Sequence, residues 1–126
     1  MRALVADHGL ESRARTRRIA TNLGFEVLEA GDDEEAMACL AEYDRFVDLV
    51  LVEWDLPSLG GLAFVERVRN TVGLADLAML LSGSALDPQQ IARALMLGAD
   101  DCLSKPLDEA AVRDKLALLG LFDSSS

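Results

Sequence analysis

The stretch LVLVEWDLPSLGG, Leu49 to Gly61, decides the fold. Four apolar residues, Leu49 to Val52, read as a strand buried on both faces. The run breaks off in Glu53, Trp54 and Asp55, and Leu56-Pro57 and the pair Gly60-Gly61 then mark a turn. A buried strand that closes on two acids has a use for at least one of them, so Glu53 becomes the residue to explain.

Working outward, short apolar runs alternate with helical patterns. Ala3 to Ala6 and Leu77 to Leu81 read as buried strands like Leu49 to Val52; Phe25 to Ala30 and Cys102 to Leu103 are weaker strand patterns. A first helix runs from about Glu11 to Leu23 and ends at Gly24, a natural residue just past a helix end. A second starts after Asp32, with Glu34 and Glu35 where the helix dipole favours acids. A third covers Leu62 to Asn70. A fourth follows Asp87-Pro88, a cap and then proline at the first helical position. A fifth follows Asp108, with Val112, Leu116 and Leu119 on one face.

Five strands alternating with five helices imply an α/β fold: a doubly wound, five-stranded parallel sheet covered on both faces. In such sheets the site lies beyond the C-terminal strand ends, where strand order reverses. The residues closing the strands are Asp7 and His8, Glu53, Ser82, and Lys105 before Pro106. Acids, one hydroxyl and one ammonium converge there.

The chain has 126 residues, one domain's worth, read as a domain over residues 1–121 and a flexible tail over residues 122–126. Its hydrophobic content of 51% suffices for a packed core, and its net charge of −10 argues against nucleic acid, whose phosphates need a basic surface. No apolar run approaches the ~18 residues of a membrane span. The N-terminus lacks the pattern of an export signal, so the chain reads as cytoplasmic and Cys39 and Cys102 as reduced thiols. No organic cofactor is expected.

Four segments in register resemble the CheY-like receiver domain of two-component response regulators, over about Ala3 to Leu119. They are LVADH (Leu4–His8), DLVLVEWDLPSLGGL (Asp48–Leu62), MLLSGS (Met79–Ser84) and GADDCLSKPLDE (Gly98–Glu109). The resemblance implies a flavodoxin-like (βα)5 fold with strand order 2-1-3-4-5. It also implies transfer of a phosphoryl group from a histidine kinase to an acceptor carboxylate at position 53. Mg²⁺ would be held by Asp7 and the main-chain carbonyl of Asp55, with Ser82 and Lys105 on the phosphoryl oxygens. Such chemistry depends on positioning and charge neutralisation.

The chain departs from that pattern at three places. The acceptor position holds Glu53 instead of aspartate, His8 stands where a second acid is usual, and Cys102 where an aromatic switch residue is usual. Glutamate's extra methylene moves the carboxylate by up to about 1.5 Å, one C–C bond. A misplacement of about 1 Å can cost roughly 10²-fold in a reaction that depends on alignment. An imidazole at His8 suits zinc-like ions better than Mg²⁺. The expectation is therefore an atypical receiver: Mg²⁺ weakened or lost, no ordinary aspartyl-phosphate cycle, and Glu53 as a partial mimic of the phosphorylated state. The alternative is an ordinary phosphorylatable receiver carrying an engineered Asp-to-Glu change at position 53. An enzyme is not expected, since the first strand's Asp7 lacks the Asp-x-Asp pair of phosphatase-like folds.

Partners would be proteins, a histidine kinase or a downstream effector. They would dock at helix 1, with Arg13, Arg15, Arg17 and Arg18, or at the face of helix 4, strand 5 and helix 5. In helix 4 the run Ala94-Leu95-Met96-Leu97 is too wide for one buried face, so Leu95 or Met96 should point outward.

Overall fold

A computed structural model describes residues 1–43 and 46–121; the tail expected over residues 122–126 lies outside the described residues. The elements follow in strict alternation: β1 (Arg2–Ala6), α1 (Leu10–Asn22), β2 (Glu26–Ala30), α2 (Asp33–Tyr43), β3 (Leu49–Glu53), α3 (Gly61–Arg69), β4 (Ala78–Gly83), α4 (Pro88–Leu97), β5 (Asp101–Ser104) and α5 (Glu109–Leu118). The strands form one parallel sheet in the order β2-β1-β3-β4-β5, as expected.

The pleat sends alternate residues to opposite faces. From β1 and β3, Leu4, Ala6, Val50 and Val52 join one core with Ala36 and Leu40 of α2, Phe64, Val65 and Val68 of α3 and Ala94 of α4. Ala3, Val5, Leu49 and Leu51 join the other, against Ile19 and Ala20 of α1 and Val112 and Leu116 of α5. All five residues of β3 are buried, which is why its sequence shows no alternation.

The helix signals worked locally. Asp32 Oδ1 accepts from the Glu35 N–H at 2.8 Å at the start of α2. Asp87 and Gln90 form a reciprocal capping box at α4, and Asp108 accepts from the Ala111 N–H at α5. Gly24, with φ of 98°, takes the left-handed turn after α1.

Element ends differ from the sequence reading by a residue or two. The largest shift is at β4, which starts at Ala78 instead of Leu77 and continues through Ser82 and Gly83. Ser82-Gly83-Ser84 has the composition of a turn, but Ser82 pairs in register with both Glu53 and Leu103, and those flanking strands hold it in the sheet.

One glycine sets the loop beyond β3. The Gly61 N–H donates to the Trp54 carbonyl at 2.9 Å, and a Cβ on Gly61 would lie 2.0 Å from the Glu53 carbonyl oxygen. Gly61→Ala must push α3 off the end of β3. We expect it to lower unfolding free energy by about 2–3 kcal/mol in urea denaturation, the usual scale for overpacking.

Candidate functional site

The C-terminal ends of β1, β3 and β5 bring three chain-distant groups together, Asp7, Glu53 and Lys105. Asp7 follows β1, its N–H donating to the Ala30 carbonyl at 3.0 Å, and its side chain turns back over the sheet end. Glu53 is the last residue of β3, and Lys105 follows β5, its N–H on the Gly83 carbonyl at 2.9 Å. The Lys105 ammonium reaches both acids, 3.1 Å from Asp7 Oδ2 and 3.1 Å from Glu53 Oε1.

Each carboxylate oxygen has a partner. Asp7 Oδ1 accepts from the Gly9 N–H at 2.9 Å, and Oδ2 accepts from the Ser12 hydroxyl at 2.5 Å as well as from Lys105. Glu53 Oε2 accepts from the backbone N–H of His8 and lies 2.5 Å from His8 Nδ1. The acids are nearly sealed: side-chain exposure is 4% for Asp7, 3% for Glu53 and 17% for Lys105, whereas His8 is 53% exposed and closes the cluster from outside. Asp7, His8 and Glu53 also each offer a ligand atom within 4.8 Å of the others.

Two carboxylates share one ammonium in a desolvated place, and the titration follows. Burial pushes the Asp7 carboxyl upward, but the Ser12 hydroxyl, the Gly9 N–H and Lys105 outweigh it and hold it below its ordinary 3.8. Burial opposes the charge on Lys105, yet Asp7 and Glu53 overcome it and raise the ammonium above 10.5. Asp7 ionises more readily folded than unfolded, so its contribution is complete above pH 3.8 and is lost as pH falls through the lower folded value. We expect an acid limb of stability below pH 3.8 that flattens in Asp7→Asn, read by urea melts from pH 5 down to pH 2.

The other expected site residues sit nearby but outside this hydrogen-bonded group. Ser82 is buried, with its hydroxyl 3.4 Å from the Val52 carbonyl. The Asp55 side chain is exposed. Between Glu53 and Asp55, Trp54 is pinned by its backbone: its N–H donates to the Ser82 carbonyl at 2.7 Å. Cys102 lies opposite Leu81 in β5 and packs on the α2–α4 side of the sheet. Burial first, then Asp101, raises its thiol against the opposing pull of Lys115.

Ser12 and Gly9 are the participants that sequence reasoning missed. The available signal was spacing: a hydroxyl five residues past Asp7, in the first turn of the following helix, can fold back on the strand end.

On the surface, α4 buries Ala94 and leaves Leu95 and Met96 exposed, as its four-residue apolar run requires. The α1 arginines divide. Arg13 and Arg17 reach Glu29 on β2, while Arg15 reaches the other way, its Nε donating to the Leu107 carbonyl at 2.7 Å.

The fold has known counterparts. A family model described as the response regulator receiver domain matches residues 3–117. The chain is 29% identical over 107 residues to the probable chemotaxis protein CheY of Rhizobium etli, covering 84% of this chain and 81% of that protein. It is 26% identical over 117 residues to chemotaxis protein CheY-3 of Vibrio cholerae, covering 92% and 88%. The solved structure of Vibrio cholerae CheY4 shares the fold with a TM-score of 0.84, over 94% of this chain and 97% of that one, at 24% identity. Since the family match takes in all of the sheet but Arg2 and all of α5 but Leu118, this chain belongs to the response regulator receiver domain family.

Proposed function

We propose that this receiver works by protein–protein interaction without an ordinary aspartyl-phosphate cycle, in the cytoplasm, with Glu53 holding part of the role a phosphoryl group would play. Receiver domains are signalling modules that meet histidine kinases or effectors and bind Mg²⁺ through acidic residues. The observation that carries the reading is the ammonium of Lys105 at 3.1 Å from Glu53 Oε1, in a cluster where Glu53 is almost wholly buried. A phosphoryl group would bring about −1.5 to −2 charge and three acceptor oxygens, of which Glu53 supplies one charge and two oxygens.

Position 53 is the acceptor position by this reading, and Glu53 is a poor nucleophile in it. Both its oxygens are engaged, one by Lys105 and the other by His8. His8 and Glu53 are thus one local arrangement, which supports a pocket that diverged as a unit over a single change in an ordinary receiver. Ser82 and Lys105 would be the phosphoryl-pocket residues, but Ser82 turns to the Val52 carbonyl and Lys105 is already bridging.

The donor set does not fit Mg²⁺ as it stands. That ion wants near-octahedral hard oxygens. Here an ammonium sits between the two carboxylates, and an imidazole occupies the third ligand position. No step is therefore assigned to a metal, and Asp55 would contribute at most its main-chain carbonyl. Cys102, in place of an aromatic switch residue, supports one biased conformation. The α4–β5–α5 face, with Leu95 and Met96 exposed, is the proposed output surface.

The test is labelling. Incubation with acetyl phosphate and Mg²⁺, read by intact mass, should leave the wild type unmodified. Stoichiometric phosphorylation at Glu53 overturns the proposal.

A further inference from the structure

His8 is the only histidine in the chain, and it stands against two nearly sealed acids at the strand ends. Asp7, His8 and Glu53 are the one group of three ligand-bearing side chains that meets among the described residues, with one donor atom from each inside 4.8 Å. The acid-rich run Asp32 to Glu35 forms no such group among them. One imidazole nitrogen beside two carboxylates is a different donor set from a ring of hard oxygens, and it calls for a different ion.

The cluster divides its oxygens. Lys105 takes Asp7 Oδ2 and Glu53 Oε1, and Ser12 adds a second bond to Oδ2. Asp7 Oδ1 accepts only the Gly9 N–H, and Glu53 Oε2 meets only the backbone N–H and Nδ1 of His8. A carboxylate oxygen carries two lone pairs, so Oδ1 and Oε2 keep acceptor capacity beyond those N–H groups. Lys105 and Ser12 then supply the outer hydrogen bonds that orient ligating carboxylates. His8 Nδ1 and Glu53 Oε2 are 2.5 Å apart, with a proton between them. Two ligands of a tetrahedral zinc ion lie about 3.3 Å apart, from metal–ligand lengths of about 2.0–2.1 Å. The ring must therefore move outward by about 0.8 Å to admit the ion, and a side chain that is 53% exposed has the room. Nδ1 gives up its proton in that step and the ring carries one on Nε2, which has no hydrogen-bond partner among the described residues.

We propose that Asp7, His8 and Glu53 form a site for a zinc-type divalent ion in preference to Mg²⁺. Three protein ligands of nitrogen and oxygen, with a fourth position open on the exposed side of His8, suit that ion. Mg²⁺ demands near-octahedral oxygens and parts reluctantly with its water. Two carboxylates against one ammonium leave the cluster with a net negative charge in a place nearly closed to water, where a cation is strongly favoured. Zinc is here a bound ligand, and no phosphoryl step passes through it. The inference rests on reading Glu53 and His8 as one diverged arrangement, but not on Glu53 failing as an acceptor.

The experiment titrates Zn²⁺ and, separately, Mg²⁺ into the tag-free, chelator-treated full chain labelled with ¹⁵N. Calorimetry reads the affinity, and the side-chain ¹⁵N signals of the single histidine read the ligand atom. One Zn²⁺ should bind per chain and move the His8 Nδ1 signal, and Mg²⁺ in about hundredfold excess should displace less than half of it. His8→Asn should weaken zinc binding by about tenfold or more, and His8→Asp should narrow the preference for Zn²⁺ over Mg²⁺ by at least about tenfold. Glu34→Gln removes an exposed acid of α2 and should leave the affinity within about twofold. Zinc held equally well by His8→Asn, an unmoved Nδ1 signal, or Mg²⁺ displacing zinc at equal concentration would each overturn the proposal. Phosphoryl labelling of Glu53 in a chain that binds zinc as expected would fell the phosphate-free reading and leave this site standing. A chain that neither labels nor binds zinc overturns this site alone.

Discussion

Replacing Lys105 by methionine is expected to lower the unfolding free energy by about 3–5 kcal/mol at pH 7, the scale for stripping the partner from a buried charge pair. The ammonium is the one cationic group bonded to both Asp7 and Glu53 in the described structure, and both acids are sealed from water. Methionine keeps much of the stem and removes the charge, leaving two like charges in a low-dielectric place. One of them must then take up a proton or the strand ends must open to water. Adding Glu53→Gln to Lys105→Met removes one of the stranded charges and should recover more than half of the loss. Urea denaturation of the wild type, both single variants and the double variant forms the cycle that reads the coupling. A cost below about 1 kcal/mol for Lys105→Met would place the pair in the class of weak surface bridges and remove the basis for treating Glu53 as held.

The second large effect is expected from Glu53→Asp. Shortening the side chain by one methylene draws the carboxylate back by about 1.5 Å, away from Lys105 and His8, and opens the volume beside the ammonium. If alignment is what the wild type lacks, phosphoryl incorporation from acetyl phosphate should rise by roughly 10²-fold, the usual cost of about 1 Å of misplacement. His8→Asp added to it returns a hard oxygen ligand in place of the imidazole and should raise incorporation further at a fixed Mg²⁺ concentration.

What could be read without coordinates was mainly the backbone. Leu49–Val52 gave itself away as a doubly buried strand because no polar residue interrupts it, and Asp87-Pro88 announced α4 because cap chemistry is local. β5 was faint for a physical reason: it is short, and Asp101, Cys102 and Ser104 are not fully buried, so its apolar signal is nearly confined to Leu103. The candidate site was legible as a set of strand-end residues, since topology sends Asp7, Glu53 and Lys105 to one edge. Its wiring was not. Which oxygen Lys105 reaches, that Ser12 folds back onto Asp7, and that Ser82 turns toward Val52 all depend on side-chain geometry between elements far apart in sequence. The arginines of α1 show the same limit. Helical spacing separates Arg13 and Arg17 from Arg15 and Arg18, but only the packed neighbours show that one pair meets an acid and the other a groove.

Trp54 offers the most direct test of the central claim, that Glu53 and Lys105 already occupy the place of phosphoryl chemistry. It is the sole tryptophan, adjoins Glu53, and is hydrogen-bonded through its backbone to Ser82. Titration with Mg²⁺ and then beryllofluoride, followed by tryptophan fluorescence, should leave the wild type unchanged and produce a saturable change in Glu53→Asp carrying His8→Asp. A saturable change of the same size in the wild type would contradict the account, because it would mean that the pocket admits a phosphoryl-like group with Glu53 in place.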